Sequence, residues 1–272
     1  MKSPYIHGYD ERESERLLAQ ASSVLDLLHC DTRYPAGARV LEVGCGTGAQ
    51  TISLVRNSPA ARIVSFDRST VSLEQAIARV AAAGVVNVEF LHADLFALPF
   101  APESFDHAFV CFVLEHLSDP IRTLLLLKDL LAPGGTITLF EGDHGSAYFH
   151  PHSDLAQRAI DCQVALQRRA GGNACIGRQL YPLLVAAGFV NAHVSPRMVY
   201  VDATHPELVD SFTRKTFTWM VDGVRAQALA AGIIDAVTFD AGIRDLHRVA
   251  EPDGVFCYTF FKGVAQKPKG TS

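Results

Sequence analysis

The sequence has no C-x-x-C pair. Its six cysteines, Cys30, Cys45, Cys111, Cys162, Cys175 and Cys257, are scattered along 272 residues. That spacing suggests neither a zinc site nor a disulfide framework, and leaves the cysteines as small buried hydrophobes. No apolar run reaches membrane-spanning length; "TLLLLKDLLA" is short and carries charges. The first residues, "MKSPYIHGYDERESER", hold neither an apolar signal core nor an Arg-rich, acid-poor character. The expectation is an intracellular, cytoplasmic protein with no membrane partner. Charge of one sign is missing too. Lys and Arg number 24 against 29 Asp and Glu, a net charge of −5 with the signs mixed. That speaks against a nucleic-acid groove. No internal repeat is visible.

What is present is an alternation of strand and helix patterns. Residues 10–29 read as an amphipathic helix, with Leu17, Ala21, Val24 and Leu28 at helical spacing. "RVLEVG" is a buried strand, 48–57 a helix, "ARIVSFD" a strand and "SLEQAIARVAAAG" a helix stopped by Gly84. "NVEFLHAD", "FDHAFVCF" and "TITLFEG" are further strands, with a helix in "IRTLLLLKDLLAPGG". The rhythm from 39 to 142 predicts parallel strands with helices on both faces and right-handed crossovers. The second half is less regular. It has helices over 153–170 and in "RQLYPLLVAAGF", a strand in "NAHVSPRMVYVD" despite Pro196, mostly helix over 205–250, and a last strand in "GVFCYTFFKGV". The helical segments at 153–172 and 205–250 exceed what a minimal sheet needs, and read as a cap over a pocket.

At the end of the first strand, "GCGTGA" brings Gly44, Gly46 and Gly48 close together. Glycine lets backbone reach positive φ and admits a ligand where a Cβ would stand. The string satisfies G-x-G-x-x-A, and Asp67 follows about twenty residues later, so a nicotinamide dinucleotide is one reading. Glu42 opposes it: two residues before Gly44, it shares that strand face, and an acid beneath the ligand suits a cationic amino-acid moiety better than a pyrophosphate. Asp94 ends the third strand, where it can accept from an adenine amino group between Leu95 and Phe96. Alternatively, Asp67 and Asp94 are helix-capping or turn acids.

In "VLEVGCGTG", "IVSFD", "FLHADLFALPF", "FDHAFVCFVLEHL" and "LLAPGGTITL", taken in order, residues 39–140 resemble the class I S-adenosylmethionine-dependent methyltransferases. The resemblance implies an α/β, Rossmann-like doubly wound sheet of seven strands, mostly parallel with the last antiparallel, carrying helical cap insertions. It implies S-adenosyl-L-methionine as cofactor and S-adenosyl-L-homocysteine as product. Glu42, Gly44, Cys45, Gly46 and Gly48 would line its methionine end, and Asp67 the ribose hydroxyls, with Arg68 alongside. Asp94 and Leu95 would hold the adenine, and Cys111 and Val113 would pass near the sulfonium. The expected layout is a lid segment and helix over 1–38, a cofactor-binding core over 39–142 and a cap insertion over 143–177. A core helix and strand follow over 178–202, a helical cap over 203–252, and the last strand and tail over 253–272.

The sulfonium already activates its methyl group, so the protein's task is alignment. Orientation supplies roughly 7–11 kcal/mol in favourable cases. A general base helps when the acceptor carries a proton, and aromatic faces help hold the sulfonium. Tyr5, His7 and Tyr9 precede the first helix and are candidates for a lid at the methyl group, Tyr9 as a catalytic group and Tyr5 as a substrate contact. "EGDHGSAYFHPHSD" follows the fifth strand with Glu141, Asp143, His144, Tyr148, His150 and His152. Glu141 and His144 are the candidates for proton transfer or substrate positioning, and Tyr148 for substrate contact. The His/Asp spacing also permits a metal, as in catechol-type methyltransferases, without specifying one; none is assigned. Tyr181 is a further substrate candidate. Arg178 and Arg197 form either a carboxylate clamp or surface ion pairs.

Similarity of "FEGDHGSAYFHP", "IGRQLYPLL", "SPRMVYVD" and "FCYTFFKG" to a microbial subgroup of small-molecule methyltransferases extends the match over nearly the whole chain. It implies a specialised-metabolism acceptor, an amine or an indole-like aromatic, methylated on nitrogen or on ring carbon. A nicotinamide oxidoreductase would need a Tyr-x-x-x-Lys pair after the fifth strand, which is missing. A base-amine methyltransferase would carry an Asn-Pro-Pro-Tyr-like string where "CFVLEHL" stands. The helical additions offer a surface for a homodimer.

Overall fold

A computed structural model describes residue 24 and residues 27–270. Tyr5, His7 and Tyr9 lie outside them, as does most of the helix expected over 10–29. Residues 24 and 27–29 are helical, and Val24 and Leu28 are buried in the core.

Eight strands form one sheet: β1 Arg39–Val43, β2 Arg62–Asp67, β3 Val88–His92, β4 Phe105–Cys111, β5 Leu131–Gly142, β6 Tyr148–His150, β7 Val190–Val201 and β8 Val255–Gln266. The order is β3-β2-β1-β4-β5-β8, with β7 and β6 also paired to β8. The first five strands are parallel, and β8 runs antiparallel to β5, β6 and β7. The sequence predicts seven strands; the eighth is β6. It is only three residues long, too short for an alternating pattern to register. Its origin is geometric. β5 pairs with residues 260–266 of β8, and β6 takes positions 255–257. β7 runs along 256–266 on the opposite edge, so β5 and β6 share one edge end to end. Pro196 sits in β7, whose only strand partner among the described residues is β8. An edge strand tolerates the missing N–H.

The helices that position the crevice are α1 Ala49–Asn57, α2 Thr70–Ala82 and α3 Pro120–Leu130. Ser69 caps α2 by accepting Ser72 N–H, and Asp119 caps α3, which has Pro120 in its first turn. Later come α4 Asp154–Arg169, α5 Leu180–Ala186, a π-helical segment Val209–Thr218, α6 Trp219–Gly223, α7 Arg225–Ala230 and α8 Ala236–Arg248. The π segment lies inside the stretch read as helix over 205–250. Thr216 and Thr218 hydroxyls donate to the carbonyls five residues back, Ser211 (2.7 Å) and Thr213 (2.8 Å). Such π turns recur at functional sites.

Strand alternation divides the core between two faces. Val40, Ile63, Phe109 and Phe140 pack with Ile160, Phe217 and Phe239 of the later helical segments. Leu41, Val64, Val110 and Leu139 pack with Leu124, Leu127 and Leu184 on the other. α4 and α8 pack against each other within the first face.

Candidate functional site

The chain runs outward from β1 to β2 and β3, then returns to β4 on the other side of β1. Open α/β sheets bind ligands outside such a reversal. β1 leads into Gly44, Gly46 and Gly48; Asp67 ends β2; Asp94 follows β3; Cys111 ends β4, with Val113 just beyond.

The three glycines have φ of 64°, 52° and 75°. They differ in what a side chain would meet. A Cβ at Gly48 would stand 2.9 Å from both Ala76 Cα and Cβ, so this glycine seats the loop on α2. A Cβ at Gly46 would meet nothing within 4 Å. The loop is thus backed at Gly44, against Val113, and at Gly48, and open at Gly46. Asp67 Oδ2 accepts Gly46 N–H (2.8 Å), and Oδ1 accepts Ser69 N–H (2.8 Å). Arg79 donates to the Thr47 carbonyl and to Thr47 Oγ1 (3.0 Å). α1 starts at Gly48 without a side-chain cap, so its positive end faces this loop.

Glu42 is buried. Its Oε2 accepts from Thr51 of α1 (2.8 Å) and Ser65 of β2 (2.5 Å). Burial raises its pKa to about 7, against the two hydroxyl bonds, and the Asp67 charge adds to the rise. Cys45 and Cys111 are buried, and burial pushes both thiols up; both act as packing groups. Arg68 contributes its carbonyl, 3.1 Å from His92 Nε2. Asp94 Oδ1 accepts Phe96 N–H (2.9 Å) and opens a tight turn that buries Leu95 and leaves Phe96 exposed, 5.0 Å from the Arg122 guanidinium.

The far wall begins after β4. Phe112 has φ 57°, an unusual backbone for a bulky side chain. Its N–H donates to Phe140 O (2.9 Å), and its ring lies 5.4 Å from that of Phe260. The next three N–H groups turn to Glu141. Its Oε1 accepts from Val113 (3.0 Å) and Leu114 (2.7 Å), and Oε2 from Glu115 (3.4 Å). Burial and the neighbouring Glu115 carboxylate raise the Glu141 pKa well above the usual range, while the N–H bonds pull the other way. From the sequence, Glu141 is a candidate for proton transfer or substrate positioning. In the structure it is wholly buried, and both its oxygens hold the turn after β4 in place.

His144 is buried between two partners: Tyr258 Oη lies 3.0 Å from Nδ1 and Gln163 Nε2 lies 3.0 Å from Nε2. Tyr258 fits because β5 ends on Gly142, where a Cβ would stand 2.5 Å from the Tyr258 hydroxyl. Glu115 Oε2 is 3.9 Å from His144 Nε2, and Glu115 Oε1 is 3.5 Å from His116 Nε2. Gln167 Nε2 donates to Glu115 O (2.9 Å) and Oε2 (3.3 Å). Sequence reasoning missed Gln163, Gln167 and Tyr258. The available signal was two glutamines four apart on a helix otherwise read for its apolar face.

The carboxylate clamp is not assembled. Arg178 donates from Nε and Nη2 to Asp143 (2.5 and 2.7 Å), and Arg197 pairs with Asp31 (2.5 Å). The arginines occupy separate ion pairs, the other possibility the sequence left open. Tyr148 and Tyr181 are 68% and 55% exposed and turn to solvent instead of the buried wall. Among the described residues no group of three or more His, Cys, Asp or Glu side chains is arranged to hold a metal ion. No described helix is long and apolar enough to cross a membrane.

Residues 40–135 match the family model described as a methyltransferase domain. An uncharacterized 37.1 kDa protein in transposon Tn4556 of Streptomyces fradiae is 31% identical over 232 residues, 85% of this chain and 63% of that protein. Demethylmenaquinone methyltransferase of Clavibacter sepedonicus is 38% identical over 126 residues, 46% of this chain and 47% of the enzyme. The chain spans less than two thirds of the length of these relatives. Phosphoethanolamine N-methyltransferase 2 of Haemonchus contortus, solved with S-adenosylhomocysteine, shares the fold. The TM-score is 0.55 at 17% identity, over 92% of this chain and 52% of that one.

Proposed function

We propose that the chain, whose residues 40–135 match the methyltransferase-domain family model, binds S-adenosylmethionine at the β1–β4 reversal. It then methylates a small molecule, releasing S-adenosylhomocysteine. The observation that carries this is the loop backed at Gly48 and open at Gly46, with the Asp67 carboxylate beside the opening. That cradle fits a ribose and a cationic amino-acid tail. Two acids, Glu42 and Asp67, fit a pyrophosphate poorly.

In this proposal Asp67 accepts from the ribose hydroxyls, with Arg68 next to it. Asp94 and Leu95 meet the adenine. Gly44, Cys45, Gly46 and Gly48 supply backbone to the methionine end, Glu42 supplies negative potential beneath it, and Cys111 and Val113 border the sulfur. When bound, the cofactor supplies a methyl group already activated by its sulfonium. The chain's own work is to exclude water and hold the acceptor in line. The favoured acceptor is a nitrogen or ring carbon of an amine or indole-like metabolite, in keeping with the acceptor-rich wall of Glu115, Gln163 and Gln167.

Isothermal calorimetry with S-adenosylmethionine, S-adenosylhomocysteine and NADPH tests the proposal. The two sulfur nucleosides are expected to bind and the dinucleotide is not. Tight NADPH binding with silent nucleosides overturns it.

A further inference from the structure

The wall behind Glu115 contains more hydrogen-bond acceptors than the protein fills. Gln163 and Gln167 lie one turn apart on one face of α4, both almost wholly buried. Their carboxamide oxygens have no hydrogen-bond partner. For Gln167 the orientation of the amide is fixed, because its NH2 meets two oxygens of Glu115 that only accept. Its carbonyl is therefore the unused end. For Gln163 the amide lies 3.0 Å from His144 Nε2, and Tyr258 Oη lies 3.0 Å from Nδ1, so the imidazole tautomer sets which end of this amide is used. An unmet buried carbonyl is costly, and native proteins retain few.

The surroundings decide what would satisfy these oxygens. Glu115 is mostly buried beside them, and its charged-group neighbours are two histidines. Among the described residues no lysine or arginine pairs with Glu115 or Glu141. The unfilled Gln167 carbonyl, beside a carboxylate that no described lysine or arginine pairs, calls for a group that brings N–H donors and a positive charge. An anion would meet Glu115, and an ether or ketone would add further acceptors. Glu115 is also joined to the cofactor side: the turn holding it passes through Val113, against which a Cβ on Gly44 would press at 2.9 Å.

We infer that Glu115, Gln163 and Gln167, braced by His144 and Tyr258, form a recess for the ammonium or N–H-rich end of the methyl acceptor. This rests on the methyltransferase proposal and narrows it to amine-bearing substrates. The recess holds the nitrogen through carbonyl and carboxylate oxygens, and Tyr258 fixes the imidazole that orients Gln163.

Calorimetry and thermal melting with benzylammonium chloride, benzyl alcohol and sodium benzoate test the recess, on the protein saturated with S-adenosylhomocysteine and on the protein alone. Benzylammonium is expected to bind and raise the melting temperature, benzyl alcohol about tenfold or more weakly, and benzoate not at all. Gln167→Leu and Glu115→Gln are each expected to weaken benzylammonium about tenfold to a hundredfold; a cooperative thermal melt reports that each variant folds, and Gln167→Leu is expected to leave nucleoside affinity unchanged. Should Gln167→Leu fail to fold, Glu115→Gln and the ligand series on the wild type decide. Absence of benzylammonium binding, equal binding of benzoate, or binding indifferent to the substitutions overturns the recess. If the nucleoside does not bind but benzylammonium does, the methyltransferase proposal falls and the recess stands.

Discussion

The two walls of the crevice are built by different means. The β1–β2 wall is mostly main chain: three glycines with positive φ and an aspartate holding a loop N–H, all within residues 44–67. The β4–β8 wall is mostly side chain. Glu115, Glu141, His144, Gln163 and Tyr258 arrive from five segments and hold one another. The first wall is shaped by where side chains are forbidden, the second by where each polar group finds a partner. A ligand part common to many enzymes suits the first, and an acceptor particular to one enzyme suits the second.

The contrast is most severely tested at Glu141. Glu141→Leu strips three N–H groups of their acceptor at a buried site. The expected loss is about 3–5 kcal/mol by urea unfolding. A loss smaller than that of Gly48→Ala would mean the second wall does not depend on its side chains. For Gly48→Ala, the left-handed backbone and the 2.9 Å approach to Ala76 together predict a destabilisation of about 2–3 kcal/mol. Gly46→Ala carries only the backbone term, about 1 kcal/mol. Its larger consequence falls on nucleoside affinity, expected to drop about tenfold or more. Equal stability losses at 46 and 48 would erase the distinction between the open and the backed glycine.

The smallest net signal belongs to pH, because two buried groups oppose each other. Burial lowers His29 from 6.5 to about 4 and raises Glu42 from 4.5 to about 7. Between pH 4 and 6.5 the unfolded chain holds the His29 proton and the folded chain does not, so that contribution grows as pH rises. Between 4.5 and 7 the folded chain holds the Glu42 proton and the unfolded chain does not, so that contribution declines as pH rises. The two terms largely cancel from 4.5 to 6.5. Glu42→Gln should uncover a stability that climbs with pH through this window, and His29→Asn one that falls. Identical slopes in both variants and the wild type would show that neither group titrates as its burial requires.

The parallel half of the sheet and the glycine loop are legible in the sequence because their signals are local. A buried strand, a glycine run and an acid at the next strand end fall within about thirty residues. β6 escapes because pairing along a vacant edge of β8 creates it, with no pattern of its own. Glu141 and Arg178 are noticed as residue types, but their partners cannot be read from spacing. The N–H groups of 113–115 take up one, and Asp143 takes up the other. Gln163 and Gln167 escape because an amide on an amphipathic helix reads as solvent-facing until the fold shows it pointing inward.

β8 lies later in the chain than β5, β6 and β7, yet it joins all three. A nascent polypeptide can complete the parallel half, from β1 to β5, while β5 and β7 still present bare edges. Tyr258 travels on the missing strand, so His144 acquires its hydroxyl partner only once that strand docks. During synthesis the nucleoside cradle can therefore exist before the amine recess does, and the interval is one in which exposed edges invite chaperones or strand exchange with a neighbouring chain.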